Sequence, residues 1–126
     1  MAKILIVDDS MVARMCHRSC IPQAEGHEVA EAADGLSALE TFRTMLPDVT
    51  FLDLTMPGMS GIEVLAEIKK DFPKAVVIIC TADIQKKIME KVDQLGAFGV
   101  LKKPAGKEVM LAELRRALDA AEKSDA

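Results

Sequence analysis

Four short apolar runs, each followed by a polar or charged residue, constrain the fold of this 126-residue chain more than any other feature. Residues 4–7, 49–52, 75–80 and 100–101 are rich in Val, Ile and Leu and lack the polar alternation of a half-exposed strand. Such runs are typical of strands that are buried on both faces of a parallel sheet. Residues 28–31 form a weaker fifth candidate.

The segment after the first run is predicted to be a helix. It begins at Met11, after a candidate N-cap at Ser10, and it ends near residue 21 because Pro22 cannot continue a helix. We expect one small apolar face on this helix, which comprises Val12, Met15, Cys16 and Ser19.

Further helical patterns separate the other runs. They cover residues 34–45, 60–71, 84–95 and 107–122, and the fourth helix of the chain ends before Gly96. A regular alternation of strands and helices predicts an α/β fold with a parallel sheet and right-handed crossovers.

Length and composition limit the number of domains and the class of protein. The length fits one domain, which we place at residues 1–122, with a short frayed tail at 123–126. A net charge of −4 disfavours a general nucleic-acid binder. No apolar run approaches the roughly 18 residues of a membrane span. The N-terminus does not resemble a signal peptide, and three cysteines suggest reduced thiols, so we expect a cytoplasmic protein.

Polar residues collect at the ends of the predicted strands. Ligands of open α/β sheets bind outside the carboxyl ends of the strands, so these scattered residues are expected to converge on one rim. They are Asp8, Asp9, Asp53, Thr81 and Lys103.

These side chains suggest a particular chemistry. Carboxylates that share a cleft repel one another, and a hard divalent cation such as Mg²⁺ relieves that repulsion with oxygen ligands. A lysine neutralises a phosphoryl group and a hydroxyl hydrogen-bonds to its oxygens. The combination favours phosphoryl transfer to an aspartate.

The segments ILIVDDS, FLDLTMPGMSGIEVL, VVIICTAD and GAFGVLKKP lie in this order along the chain. Together they resemble the response-regulator receiver domains of two-component signalling, of the single-domain, CheY-like type. The resemblance implies a flavodoxin-like (βα)5 fold, in which a doubly wound, five-stranded parallel sheet has helices on both faces.

The resemblance also implies a role for each residue of the rim. Asp53 is the phosphoacceptor, and Lys103, joined to Pro104 by a cis bond, contacts the phosphoryl group. Thr81 is the switch hydroxyl. The Mg²⁺ ligands are Asp8, Asp9, Asp53 and the backbone carbonyl of Thr55.

By the same resemblance, the chain is a signalling protein rather than an enzyme. A sensor histidine kinase or a phosphotransfer protein phosphorylates Asp53, and the surface of helix 4, strand 5 and helix 5 then changes. The output goes to a separate downstream effector protein, without direct contact to nucleic acid or membrane. The domain is a monomer or a phosphorylation-dependent dimer.

Two other functions fit the sequence less well. A Mg²⁺-dependent aspartyl-phosphate phosphatase or phosphotransferase often has an acidic residue two positions after its nucleophile, where this chain has Thr55. A flavodoxin-like cofactor binder would need a Gly-rich loop after the first strand, and the chain also has no Trp or Tyr to stack on a ring. A further alternative, which the sequence leaves open, is a pseudo-receiver that acts by binding alone.

Several residues near the motifs allow a less specific interpretation. Only one of Lys102 and Lys103 can reach the site, because neighbouring strand residues point in opposite directions. The family pattern selects Lys103, which precedes Pro104, so Lys102 is expected to face solvent. Cys16, His17 and Cys20 are expected to pack in the core rather than to bind a metal. Val100 stands where the family often has Tyr or Phe, and Phe98 is predicted on the same strand face. Thr55 and Asp83 are candidates for tuning water access to the phosphorylated aspartate.

Overall fold

The computed structural model describes residues 1–125 and contains the predicted alternation of strands and helices. The strands are β1 (Lys3–Val7), β2 (Glu28–Ala32), β3 (Val49–Asp53), β4 (Val77–Thr81) and β5 (Gly99–Lys102). The helices are α1 (Met11–Ser19), α2 (Gly35–Met45), α3 (Gly61–Asp71), α4 (Lys86–Gln94) and α5 (Lys107–Asp125), with a 3₁₀ turn at Gln23–Glu25.

All five strands belong to one sheet in the order β2-β1-β3-β4-β5, and every neighbouring pair is parallel. This topology confirms the flavodoxin-like, doubly wound prediction. The order reverses between β1 and β3, and in open α/β sheets a crevice forms outside the carboxyl ends of the strands at such a point. The fold therefore favours a site next to the ends of β1 and β3.

Local sequence signals explain where the helices begin and end. The Asp34 side chain accepts a hydrogen bond from the Ser37 backbone N–H at 2.8 Å and caps α2. Ser60 and Glu63 form a reciprocal capping box at the start of α3. Gly96 has a φ of +89° directly after the C-cap of α4, a backbone conformation that glycine adopts without steric cost.

The sheet separates two apolar layers. Alternate residues of each strand face opposite sides, so Leu5 and Val7 pack against α2, α3 and α4, whereas Ile4 and Ile6 face α1 and α5. These central strand residues are fully buried. Burial on both faces accounts for the continuous apolar runs in the sequence.

The predicted apolar face of α1 was wrong. Met11, Val12 and Met15 are 65%, 69% and 62% exposed, and Cys16 is also exposed, whereas His17 is buried. Positions 13, 17 and 20 form the inner face of the helix instead. Their spacing is as regular as that of the expected stripe, so spacing alone does not distinguish the two faces. Arg14 and Arg18, on a flank of the helix, pair with Glu31 of β2 at 2.9 and 2.8 Å.

The end of the chain differs from its predicted boundary. Helix α5 continues to Asp125, past the expected end at residue 122, and Ala126 of the predicted tail lies outside the described residues. None of the helices within residues 1–125 is long and apolar enough to cross a membrane.

Candidate functional site

The predicted rim residues lie where the parallel strands end. Asp8 directly follows β1, Asp53 is the last residue of β3, and Thr81 is the last residue of β4. In the sheet register, Asp53 pairs with Cys80 and Thr81 pairs with Lys102, so these strands end side by side. The fold thus gathers residues that are far apart in the sequence.

Three carboxylates form the centre of this site. Each of Asp8, Asp9 and Asp53 offers an oxygen, and these oxygens lie within 4.8 Å of one another. Asp8 and Asp53 are only 1% and 5% exposed, whereas Asp9 is exposed to solvent. Two buried carboxylates at this spacing require a positive partner.

Lys103 supplies a positive charge beside two of these carboxylates. Its Nζ lies 2.5 Å from Asp8 Oδ2 and 3.4 Å from Asp53 Oδ1. Burial by itself would lower the pKa of Lys103, but its hydrogen bond to Asp8 and the charges of both carboxylates outweigh burial and raise it. Lys103 is therefore held as a cation beside Asp53.

Opposing effects act on the pKa of the Asp53 carboxyl group. Burial raises the pKa of its carboxyl group, the charge of Lys103 acts to lower it, and the charge of Asp8 raises it further. The net direction is upward. A cation near Asp53 favours the ionised carboxylate, which is the nucleophilic form.

The donor set of the site fits a hard divalent cation. One lysine offsets only part of the charge of three carboxylates, and carboxylate oxygens are preferred ligands of Mg²⁺. Exposed Asp9 leaves the cluster accessible from solvent. Thr55 lies exposed in the loop after β3, and its carbonyl stays a predicted ligand.

Thr81 connects the site to the loop that follows β4. The residue is buried, and its hydroxyl oxygen accepts a hydrogen bond from the Asp83 backbone N–H at 3.0 Å. The Asp83 carboxylate in turn accepts one from the Gln85 N–H at 3.1 Å, just before α4. A displacement of the Thr81 hydroxyl would break the first of these bonds.

Sequence reasoning missed two residues that shape the site. A Cβ added to Gly61 would lie 2.1 Å from the Asp53 carbonyl oxygen, so only glycine lets α3 start against the end of β3. Arg14 donates a hydrogen bond to the Asp8 carbonyl oxygen at 2.7 Å. The position of Gly61 directly after a cap residue was the available signal, and nothing in the sequence marked Arg14.

The neighbours of Lys103 agree with the sequence analysis except at Phe98. Lys102 is exposed, and the Lys103–Pro104 bond is cis, as predicted. Phe98 precedes β5 and packs on the α1–α5 side, whereas Val100 packs on the opposite side. The prediction that these two residues lie on the same strand face was therefore wrong. Strand alternation does not extend to Phe98 because β5 begins at Gly99.

The cysteines and His17 lie behind the carboxylates, on the α1–α5 side of the sheet. Cys20, Cys80 and His17 are buried, as expected for core residues, but Cys16 is exposed. Within residues 1–125, the acidic trio is the group of possible metal ligands that lies close enough together for one ion.

Comparisons with known proteins agree with this geometry. Residues 4–115 match the family described as "Response regulator receiver domain". The chain is 37% identical over 117 residues to a "Chemotaxis protein CheY" of Listeria monocytogenes, covering 93% of this chain and 98% of that protein. It is 39% identical over 103 residues to a Thermotoga maritima protein of the same name, covering 81% and 85% of the two chains.

A solved structure is also similar. The Vibrio cholerae chemotaxis protein CheY4 superposes with a TM-score of 0.86 at 32% identity, over 94% of this chain and 99% of the other. The family match covers most of the chain, and the strand order and the acidic rim agree with it. The chain therefore belongs to the family of response regulator receiver domains and is a CheY-like protein of two-component signalling.

Proposed function

We propose that Asp53 accepts a phosphoryl group from the phosphohistidine of a sensor histidine kinase or phosphotransfer protein, and that a separate effector protein reads the result. The observation that carries this proposal is the placement of the buried Asp53 carboxylate. Lys103 Nζ lies 3.4 Å from one of its oxygens, and the carboxylates of Asp8 and Asp9 lie within 4.8 Å.

The chemistry is a group transfer between two nucleophiles. An Asp53 oxygen attacks phosphorus, the phosphorus–nitrogen bond of the donor breaks, and the imidazole leaves with the bonding electrons. The Lys103 ammonium, already beside Asp53, neutralises charge on the phosphoryl oxygens. The chain acts as a phosphoacceptor that assists its own phosphorylation and dephosphorylation, with Thr55 and Asp83 tuning water access.

The transfer is proposed to depend on Mg²⁺. Asp8, Asp9, Asp53 and the Thr55 carbonyl would hold the ion, in keeping with the oxygen-rich donor set. When bound, the ion supplies positive charge that neutralises the phosphoryl oxygens. Because Lys103 bonds to Asp8 at 2.5 Å, it also limits repulsion among the carboxylates before an ion binds.

The switch is proposed to run through Thr81. A phosphoryl group on Asp53 offers acceptor oxygens to the Thr81 hydroxyl, and this contact competes with the bond between that hydroxyl and the Asp83 N–H. The loop before α4 then repacks, together with the α4–β5–α5 surface. A change from mostly inactive to mostly active needs about 3–5 kcal/mol, which two or three charge-assisted hydrogen bonds can supply.

The partner that delivers the phosphoryl group is proposed to dock on α1. This helix begins three residues after Asp8 and presents Met11, Val12 and Met15 to solvent. Exposed apolar side chains next to a reactive rim are typical of a protein–protein contact surface. We place the protein in the cytoplasm, where its free thiols stay reduced, as a monomer or a phosphorylation-dependent dimer.

Incubation with Mg²⁺ and acetyl phosphate, followed by intact-mass measurement, tests the proposal. We expect the wild type to gain one phosphoryl group, and the Asp53→Asn variant and a sample with EDTA to gain none. An Asp48→Asn variant, in which an acidic residue outside the site changes, is the matched control and should behave as wild type. An equal gain in Asp53→Asn would contradict the proposal that Asp53 is the phosphoacceptor. No gain in the wild type would also contradict it and would favour a pseudo-receiver that acts by binding alone.

A further inference from the structure

Arg14 of α1 contacts the end of β1, at the point where strand pairing stops. The Asp8 backbone N–H still donates a hydrogen bond to the Ala32 carbonyl oxygen of β2 at 3.1 Å. The Asp8 carbonyl oxygen accepts its bond from Nη1 of Arg14 instead, at 2.7 Å. A partly buried carbonyl needs a partner, and here a side chain takes the place of a neighbouring strand.

The carbonyl group that Arg14 holds belongs to the peptide between Asp8 and Asp9. This peptide is planar, so its orientation fixes the ψ angle of Asp8 and the φ angle of Asp9. Together these two angles set the direction in which the Asp9 side chain projects relative to Asp8. A bond to the carbonyl oxygen therefore acts on the position of the Asp9 carboxylate.

Asp9 depends on this backbone contact more than Asp8 does. The Asp8 carboxylate accepts hydrogen bonds from the Ser10 N–H at 2.9 Å and from Lys103 Nζ at 2.5 Å, which fix it directly. Asp9 is exposed, and among the residues that the structure describes none bonds to its carboxylate. Its oxygen still lies within 4.8 Å of the other two carboxylates. The backbone is thus what keeps Asp9 in the cluster.

Arg14 is itself held in one orientation. Its Nε lies 2.9 Å from Glu31 Oε1, and Nε of Arg18 lies 2.8 Å from the other oxygen of the same carboxylate. The hydrogen bonds from Arg18 and Arg14 lower the pKa of Glu31, so this carboxylate is ionised near pH 7. The Arg14 side chain is only 16% exposed. A planar guanidinium that is bonded through two of its nitrogens has little rotational freedom.

We propose that Arg14 is a positioning residue for divalent-cation binding, which holds the peptide between Asp8 and Asp9 so that the Asp9 carboxylate points at the ion. This role rests on the Mg²⁺ site proposed above. Arg14 touches neither the ion nor the phosphoryl group and acts through the backbone of two ligands. Residues that hold metal ligands in place typically change metal affinity by about 10–100-fold.

The charge of Arg14 on its own predicts the opposite effect. A guanidinium beside the carboxylate cluster repels Mg²⁺, so if Arg14 acted only through its charge, removing it would strengthen Mg²⁺ binding. If Arg14 positions Asp9, removing it weakens Mg²⁺ binding. The sign of the change in affinity therefore distinguishes the two roles.

Titration of the unphosphorylated protein with MgCl₂, followed by the backbone amide signals of Asp9 and Asp53 in ¹⁵N NMR, measures this affinity without any reaction. We expect Arg14→Gln to raise the Kd for Mg²⁺ about tenfold. Arg18→Gln is the matched control, because it removes the same charge and a bond to the same Glu31 carboxylate but no bond to Asp8. It should leave the Kd close to the wild-type value. Equal or tighter binding in Arg14→Gln would overturn the proposal.

A second variant separates geometry from charge. Arg14→Lys keeps the positive charge, but an ammonium lacks the planar pair of nitrogens that bonds to the Asp8 carbonyl oxygen and to Glu31 at once. We expect a rise in Kd that is smaller than in Arg14→Gln. The same spectra show whether each variant is folded, and if Arg14→Gln does not fold, Arg14→Lys provides the test. A wild-type Kd in folded Arg14→Lys would overturn the proposal.

The dependence of phosphorylation on Mg²⁺ gives an independent readout. In Arg14→Gln, the Mg²⁺ concentration that gives half of the maximal rate with acetyl phosphate should rise about tenfold, with the rate at saturating Mg²⁺ unchanged. A general structural defect would lower the rate at every Mg²⁺ concentration, and that result would overturn the proposal.

Failure of the Arg14 role is distinguishable from failure of the proposed function. If the amide signals of the wild type do not respond to Mg²⁺, the Mg²⁺ site proposed above is wrong, and the role of Arg14 is overturned with it. If the wild type binds Mg²⁺ and Arg14→Gln binds it equally well, only the role of Arg14 is overturned.

Discussion

The two faces of the sheet are packed in different ways. The side covered by α2, α3 and α4 is filled by aliphatic and aromatic residues such as Leu65, Ile68 and Phe42, all almost completely buried. The side covered by α1 and α5 also has a buried core, but it contains buried thiols, a buried imidazole and a cavity of about 420 Å³. A groove of about 390 Å³ also borders the first side, but it lies at the loops after α2 and α3, beside Phe42 and Phe72. The second side differs in the polar groups that it buries around its cavity.

This difference suggests that the two sides of the sheet have different roles. A closely packed side holds β1 and β3 in place, and with them the carboxylates at their ends. The looser side borders Lys103, which both lines the cavity and contacts Asp8. We expect substitutions in the packed core to affect stability strongly, and those beside the cavity to affect it weakly.

The largest effect is expected from a deletion on the packed side. Leu65 is fully buried in α3, so Leu65→Ala should reduce the free energy of unfolding by about 3–4 kcal/mol through lost burial and a new cavity. Urea denaturation followed by circular dichroism measures this loss. Leu36→Ala removes the same atoms from a side chain that is 70% exposed and should change stability little. Equal effects of the two substitutions would contradict the claim that burial of Leu65 on this side of the sheet stabilises the fold.

A smaller loss of stability is expected where the packed side meets the site. Gly61→Ala places a methyl group 2.1 Å from the Asp53 carbonyl oxygen, so α3 or the end of β3 must move. We expect a loss of about 1–3 kcal/mol from overpacking. Phosphorylation by acetyl phosphate should be roughly a hundredfold slower, because Asp53 is displaced.

Gly106→Ala is the control for this substitution, because an added methyl group at Gly106 meets no atom within 4 Å. It should leave the phosphorylation rate unchanged, with only the small loss of stability that alanine causes at the N-cap of α5. A normal phosphorylation rate in Gly61→Ala would show that the approach of α3 to β3 does not position Asp53.

A deletion on the looser side is expected to cost less. Cys20 is buried but borders the existing cavity, so Cys20→Ala should reduce the free energy of unfolding by only about 1 kcal/mol. The same urea experiment measures it. Leu65→Ala removes three heavy atoms and Cys20→Ala only one, so a loss as large as that of Leu65→Ala would show that the cavity beside Cys20 does not reduce the cost of a deletion.

The smallest effect is a dependence of stability on pH that arises from His17. Burial lowers the pKa of His17 in the folded protein, so below the ordinary value of 6.5 the unfolded chain binds a proton more readily. Stability from this residue is present above that pH and is lost as the pH falls below it. Thermal unfolding of wild type and His17→Phe between pH 8 and 5 should therefore show a shallower decline for the variant. Parallel curves would contradict this assignment.

Chain order and strand burial were sufficient to predict most of the fold and the rim. Parallel strands end at a common edge, so Asp8, Asp53, Thr81 and Lys103 could be placed together without any knowledge of side-chain packing. Helix ends were also predictable, because Ser10, Ser60 and Gly96 are strong local signals.

Features that depend on tertiary packing were not predictable in this way. Two stripes on α1 have a helical spacing, and the sequence favoured the more apolar one, although His17 and Cys20 face the core. The close approach of Gly61 to Asp53 and the side on which Phe98 packs also follow from neighbouring elements. A local pattern contains no information about these contacts.

Identification of the phosphorylated atom tests the central claim most directly. Borohydride reduces an acyl phosphate to the alcohol, so a phosphorylated aspartate becomes homoserine and can be located by peptide mass spectrometry. After treatment with Mg²⁺ and acetyl phosphate, the account predicts homoserine at Asp53 and unchanged Asp8 and Asp9. Homoserine at another carboxylate, or at none, would contradict the assignment of Asp53 as the phosphoacceptor.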